Sequence, residues 1–393
     1  MKALCVFGAN QYGDPARESS PERRAFLPAL RRAGYDVLHF DSWDKSRYRD
    51  LPELNTRLLE TVERERPDVL LFVPLLAEVW LETLQIIRRR GDVVTICWTT
   101  DDSWKYQQQS RYLAPAFHAI TTTYPDVLAR YHADGHHNVI LTQWAASFDE
   151  LAEPLPASRC RYPVTFVGSM HGGRRERVDR LRNGGLDVRC FGLGSENGPV
   201  TTEQMRDIFR ESVISLNFAN SQGSNQIKAR TFEVPGAGGF LLSESAAGLE
   251  LFYVPDQEIV LYGDDAELQS KAAWFLAHPA ERDAVAQRGH LRTRNDHTYD
   301  IRLREVIAFA REQKAAGPVL PATGTLDAAL RAHGIGPAHR LLRSALVTLA
   351  SAVVGRRRAR KAARRLVYEL SWRFRGAATY SSAGLPGRLF PRD

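Results

Sequence analysis

The chain has 393 residues, of which 44% are hydrophobic and 25% charged, with a formal net charge of +7. These fractions exclude a disordered or collagen-like chain, and the length calls for two cores of roughly 150 residues rather than one. No uncharged apolar run approaches the ~20 residues that span a bilayer. The amino terminus runs straight from Met1-Lys2 into an apolar strand, so no signal peptide is expected. Cys5, Cys97, Cys160 and Cys190 are scattered without a C-x-x-C pair, which reads as reduced thiols in a cytoplasmic protein.

Strand and helix patterns alternate from the start, which predicts a parallel sheet covered by helices on both faces. Strands are expected over 3–7, 36–40, 69–73, 93–97, 119–122 and 138–141, with helices over 21–33, 51–64 and 80–90 between them. Ligands collect at the carboxyl ends of such strands. Those ends carry Trp43, Trp104 and Trp144 and several carboxylates, a rim suited to sugar rings. Asp101 and Asp102 follow the fourth strand. They suit three roles: catalytic or acceptor-binding carboxylates, an N-cap for the next segment, or a metal-binding pair, for which the adjacent D-D spacing is poor. His132, His136 and His137 surround Gly135 and read as a solvated turn rather than a zinc site.

Prolines at 154 and 156 mark a linker, so a first domain is expected over 1–158 and a second over 159–316. The second begins with a buried strand over 164–167, then Gly168, Ser169 and the pair Arg174-Arg175 before a helix. Small residues between a strand and basic residues let a phosphate approach the backbone. No Walker or dinucleotide fingerprint is present. A helix is expected from about Asn225 through Glu233, broken at Pro235-Gly236, with a strand over 239–242. It carries Lys228, Arg230 and Glu233, cations for a diphosphate and a carboxylate for sugar hydroxyls. Two further helices are expected over 264–294, broken at His278-Pro279 and closed by Gly289.

Residues 318–393 hold 14 Lys and Arg against 3 Asp and Glu, a net of +11, which leaves −4 for the rest of the chain. This stretch, 317–393, reads as a separate basic helical tail. A short apolar run (344–355), a basic cluster from Arg356 to Arg365, then Leu366, Trp372 and Phe374 fit a peripheral membrane anchor on anionic lipid. The same run suits nucleic acid or a disordered arm, although no nucleic-acid-reading motif accompanies it.

Four ordered pieces carry a resemblance: R-x-F-E-x-x-x-x-G-x-F-L-L over 230–242, P-x-x-E-x-V-x-Y over 255–262, H-P-x-E-R over 278–282, and H-T-Y over 297–299. Together they resemble the carboxyl-terminal domain of group 1 glycosyltransferases, in the CgeB-like (spore-maturation) branch. The resemblance implies an α/β chain of two Rossmann-like domains, the GT-B architecture. It implies transfer of a sugar from a nucleotide-diphosphate donor to a hydroxyl acceptor such as a surface glycan or other glycoconjugate, without a metal or further cofactor. Gly168, Ser169, Arg174, Lys228 and Arg230 would hold the diphosphate and Glu233 the ribose, with Asn225 also among the donor-binding residues. His297 reads as structural, and the helix after it would cross back to the first domain. Many group 1 enzymes carry E-x₇-E here; Asn225 stands in the first position, so the stereochemical course stays open. A nucleotide-sugar epimerase of the same architecture, and a non-catalytic nucleotide-sugar or glycan binder, are the rival readings.

Overall fold

A computed structural model describes residues 1–218, 227–317 and 324–391. The chain forms two compact units, Met1–Thr142 with Leu303–Asp393, and Gln143–Arg302. Each is a parallel sheet covered by helices.

In the first unit the strands are β1 (Lys2–Val6), β2 (Asp36–Phe40), β3 (Val69–Phe72), β4 (Val94–Cys97), β5 (Ala119–Thr122) and β6 (Val139–Leu141). They lie in the order β2-β1-β3-β4-β5-β6, with Ala3 of β1 opposite Val37 on one side and Val69 on the other. Strands β3, β4 and β5 are buried along their whole length, as central parallel strands must be under two helical layers. The helix Leu51–Glu65 starts where Asp50 Oδ1 accepts the Glu53 amide at 3.0 Å, and it ends at Arg66 in the left-handed region. Its Leu54, Leu58 and Val62, four residues apart on one stripe, are fully buried, each contributing about 2 kcal/mol of apolar burial.

The described carboxyl-terminal residues, a run of helices, pack on this unit. Ala329 of the helix Leu326–His333 packs against Leu51 and Trp80, and the His333 ring lies 5.1 Å from the Trp80 ring. Two helices, Pro337–Val354 and Arg356–Arg375, form a hairpin about Gly355. Beyond it Tyr380 is buried in the main core and donates its hydroxyl to the Gln108 carbonyl. The Ser382 amide and hydroxyl both donate to the Glu82 carboxylate, the hydroxyl at 2.9 Å. Composition marks a basic segment; the buried aromatic and serine residues within it carry too little pattern to reveal a docked one.

In the second unit the strands are β7 (Tyr162–Val167), β8 (Val188–Phe191), β9 (Ser212–Asn217), β10 (Leu241–Glu244) and β11 (Val260–Tyr262), in the order β11-β10-β9-β7-β8. Val164, Ile214, Leu216, Phe240 and Leu242 form its core with Leu268 and Phe275 of the helix Asp265–Ala277. The helix expected from Asn225 is observed as Arg230–Gly236, while residues 219–226, Asn225 among them, lie outside the described residues. Gly289 does not close a helix. It sits inside Pro279–Asp296, where a Cβ would fall 2.2 Å from the Glu258 carbonyl oxygen, so glycine is needed for close packing. The H-T-Y piece pins the start of the unit: the Ala146 amide donates to the His297 carbonyl and the Tyr299 amide to the Ala146 carbonyl. The second unit ends at Arg302 and the first resumes at Leu303, within the helix Tyr299–Ala316.

Candidate active site

In an open α/β sheet the ligand crevice lies outside the strand ends where the strand order reverses. In the second unit that place is between β7 and β9, because β8 lies on one side of β7 and the other strands on the opposite side. Gly168 and Ser169 follow β7 directly. The Gly168 carbonyl is approached so closely by Gly192, at the end of β8, that a Cβ there would come within 2.5 Å. Gly192 has φ +119°, so this turn makes a close backbone contact available only to glycine.

Arg174 opens the helix Arg174–Asn183 and turns back across this crevice. Its Nη1 donates to the Ser169 carbonyl at 2.9 Å and its Nη2 to the Phe218 carbonyl, just past β9, at 3.3 Å. Its Nε is buried with no hydrogen-bond partner. Arg230 reaches the same edge: its Nε donates to the Val167 carbonyl at 3.3 Å, and its Nη1 pairs with Glu233 one turn along the helix. Burial, and then the Arg230 guanidinium, pull the Arg174 pKa below its ordinary value. Two half-buried guanidiniums facing one crevice repel each other, and an anion between them would relieve that cost. Gly168, Ser169, Arg174, Arg230 and Glu233 are thus brought together at one crevice. Lys228 precedes the helix and is half-buried.

Beneath Arg174 lies a stack that the sequence did not reveal. The Phe166 and Phe218 rings are 4.3 Å apart and nearly parallel, with Arg174 over Phe166 at 5.3 Å and Arg177 over Phe218 at 5.0 Å. Arg177 also pairs with Asp265 at 2.6 Å and Glu244 at 3.3 Å. The available signal was the i, i+3 spacing of Arg174 and Arg177 on a helix whose other positions are mostly charged. Arg282, from the H-P-x-E-R piece, is fully buried. It donates at 2.8 Å to each of the Val213, Leu155 and Ser212 carbonyls, tying the linker to β9. His297 is also internal: it contacts the Phe252 carbonyl at 2.7 Å and Arg302 at 2.9 Å, and burial pushes its pKa down to about 4.

In the first unit the two neighbouring aspartates part company. Asp101 is exposed and held in the left-handed region, with φ 55°. Asp102 is buried, accepting from Ser110 Oγ and, at 3.1 Å, from the Tyr131 hydroxyl. Burial pushes its pKa up to about 6, against hydrogen bonds from Ser110, Thr122, Tyr131 and Thr99. The Asp101 side chain makes no capping hydrogen bond to the helix Asp102–Lys105. Among the described residues no three His, Cys, Asp or Glu are gathered as metal ligands. The tryptophan rim divides similarly. Trp43 is buried against Gly8 with its Nε1 donating to the Val73 carbonyl at 3.0 Å, so it fills the β1–β3 reversal point. Trp144 packs against the second core, and only Trp104 of the three is an exposed ring.

Residues 174–308 match the model of the glycosyl transferase-like family. No match was found among curated protein sequences. Among solved structures, sucrose-phosphate synthase from Thermosynechococcus elongatus superposes with a TM-score of 0.58 at 12% identity, over 81% of this chain and all of that one. A glycosyltransferase from Rickettsia africae ESF-5 gives 0.53 at 10% identity, over 79% of this chain and 98% of its own. Anabaena Alr3699/HepE, solved with UDP-glucose, gives 0.52 at 11% identity, over 81% of this chain and all of its own. The chain therefore has the fold of the two-Rossmann GT-B glycosyltransferases, with a glycosyl transferase-like segment over 174–308. Among the described residues no helix is long and apolar enough to cross a membrane.

Proposed function

We propose that the protein is a glycosyltransferase that moves a sugar from a nucleotide-diphosphate donor to a hydroxyl acceptor. The observation that carries the reading is the convergence of Arg174 and Arg230, both within the segment that matches the family model, on the β7–β9 crevice. The two guanidiniums, with Lys228, would take the diphosphate against the Gly168-Ser169 loop, and Glu233 the ribose hydroxyls. In the reaction the acceptor oxygen forms a bond to the anomeric carbon as that carbon's bond to the diphosphate oxygen breaks. The nucleoside diphosphate leaves with the electron pair and the hydroxyl proton passes to a base. Fixed cations beside the leaving group lower the barrier without a metal. Asp101, the exposed member of the aspartate pair, is the better candidate for that base, since Asp102 is buried among its own partners.

The four ordered motifs favour the CgeB-like branch, and with it an acceptor in surface polysaccharide or glycoconjugate assembly. The bound UDP-glucose of the Anabaena neighbour agrees with a nucleotide-sugar donor. Incubation with a panel of nucleotide sugars, following nucleoside diphosphate release with and without hydroxyl acceptors, tests the reading. Acceptor-dependent release is expected. Conversion of the donor sugar with no acceptor present would instead make the protein an epimerase, and binding without turnover a carrier.

A further inference from the structure

A groove that lies wholly within the first unit has two unlike walls. It encloses about 970 Å³ between the loops after β3 and β4 and the carboxyl-terminal helices. That volume falls within the range of small-molecule sites. Its cations are Lys45, Lys105, Arg358, Lys361, Arg364 and Arg365, and no Asp or Glu lines it. Four of the six stand on one face of the helix Arg356–Arg375, at 358, 361, 364 and 365. Arg365 pairs at 3.0 Å with Glu369 outside the groove. No ion pair to Arg358, Lys361 or Arg364 is formed among the described residues.

Apolar groups make up the rest of the lining, among them Leu76, Trp104, Val353 and Phe390. Leu76, Trp104 and Val353 are 37%, 50% and 84% exposed. Large apolar side chains left in water beside a one-signed wall are costly unless something covers them. An all-polar anion would leave those groups wet, and a neutral hydrocarbon would leave Arg358, Lys361 and Arg364 without an ion-pair partner. Only an amphiphile satisfies both walls. Charge complementarity thus selects its anionic head, and the exposed Trp104 ring and branched chains select its hydrocarbon.

We propose that this groove binds one anionic amphiphile, a hydrocarbon chain with a phosphate-bearing head. Trp104 and Lys105 lie on the short helix that follows Asp101, so the head would be delivered to the turn bearing the candidate base. The assignment of the amphiphile as acceptor rests on the glycosyltransferase reading; the binding site does not.

The test is calorimetric titration of the full chain with dodecyl phosphate below its micellar concentration. Inorganic phosphate and dodecylphosphocholine serve as comparison ligands. One-to-one binding of dodecyl phosphate is expected, at least tenfold tighter than dodecylphosphocholine, with no binding of inorganic phosphate at the same concentration. The triple variant R358E/K361E/R364E should lose at least tenfold in affinity. Val353→Asp, at a side chain too exposed to support the fold, should lose several-fold. Nucleoside diphosphate binding by both variants should match wild type, which also shows that they are folded. Equal binding of dodecyl phosphate and inorganic phosphate would overturn the proposal in favour of a plain anion site. So would equal binding of the two amphiphiles, undiminished binding by the triple variant, or adsorption to anionic vesicles with no monomer bound. Should no nucleoside diphosphate bind while dodecyl phosphate does, the donor reading falls and the groove stands.

Discussion

Asp101 and Asp102 show how far two adjacent identical residues can diverge. A left-handed backbone at Asp101 leaves its carboxylate in solvent and turns the next one inward, beneath the rim. The buried member should make stability depend on pH. Its folded pKa is about 6, whereas an unfolded aspartate titrates near pH 4. The folded state therefore binds the proton more tightly. The stabilisation is full below about pH 4 and is lost as pH rises through about 6, a change on the order of 1–3 kcal/mol. Asp102→Asn removes the titrating group. The melting temperature of wild type relative to Asp102→Asn should fall as pH is raised from 4 to 7, and a pH-independent difference would show that Asp102 is not buried as described. The sequence located this pair at a strand end, as the fold requires. It could not say which carboxylate faces water, because that depends on one backbone dihedral.

Among elements, the helix Pro279–Asp296 holds the second unit together in two ways that its sequence only partly disclosed. The break at His278-Pro279 was legible, since proline opens a helix and cannot continue one. The fully buried Arg282 was not, since a charged helix position ordinarily points outward. Replacing it by Met leaves the Ser212, Val213 and Leu155 carbonyls without their donor. Arg282→Met should cost about 3–5 kcal/mol, measured by denaturant unfolding, if the three carbonyls stay buried. Gly289 was misread for a related reason, because a glycine that ends a helix and one that admits a neighbouring carbonyl look alike in sequence. Gly289→Ala should cost about 1–3 kcal/mol by forcing Glu258 away. A change within 0.5 kcal/mol would mean that this contact is easily relaxed.

At the scale of the whole molecule, both parallel sheets were legible because alternating strand and helix patterns repeat along the chain. The units divide at 142/143 and at 302/303, so the first is built from both ends of the chain. That arrangement depends on tertiary contacts such as Tyr380 in the core and Ser382 on Glu82, which leave no periodic trace. Ending the chain after Lys314 should accordingly uncover Trp80, Leu51 and the core around Tyr380. Such a truncation is expected to lower the melting temperature by many degrees or abolish soluble expression, and an unchanged melting curve would restore the reading of a detached tail. The account as a whole depends on the crevice between β7 and β9 holding a diphosphate. Its most direct test is calorimetric titration of a panel of nucleoside diphosphates, in excess EDTA, into wild type and Arg174→Ala. At least one diphosphate should bind wild type without metal, and Arg174→Ala should lose about 1.5–3 kcal/mol, the worth of a charged hydrogen bond, with its melting curve still cooperative. Absence of binding by every diphosphate, or equal affinity in the folded variant, would contradict it.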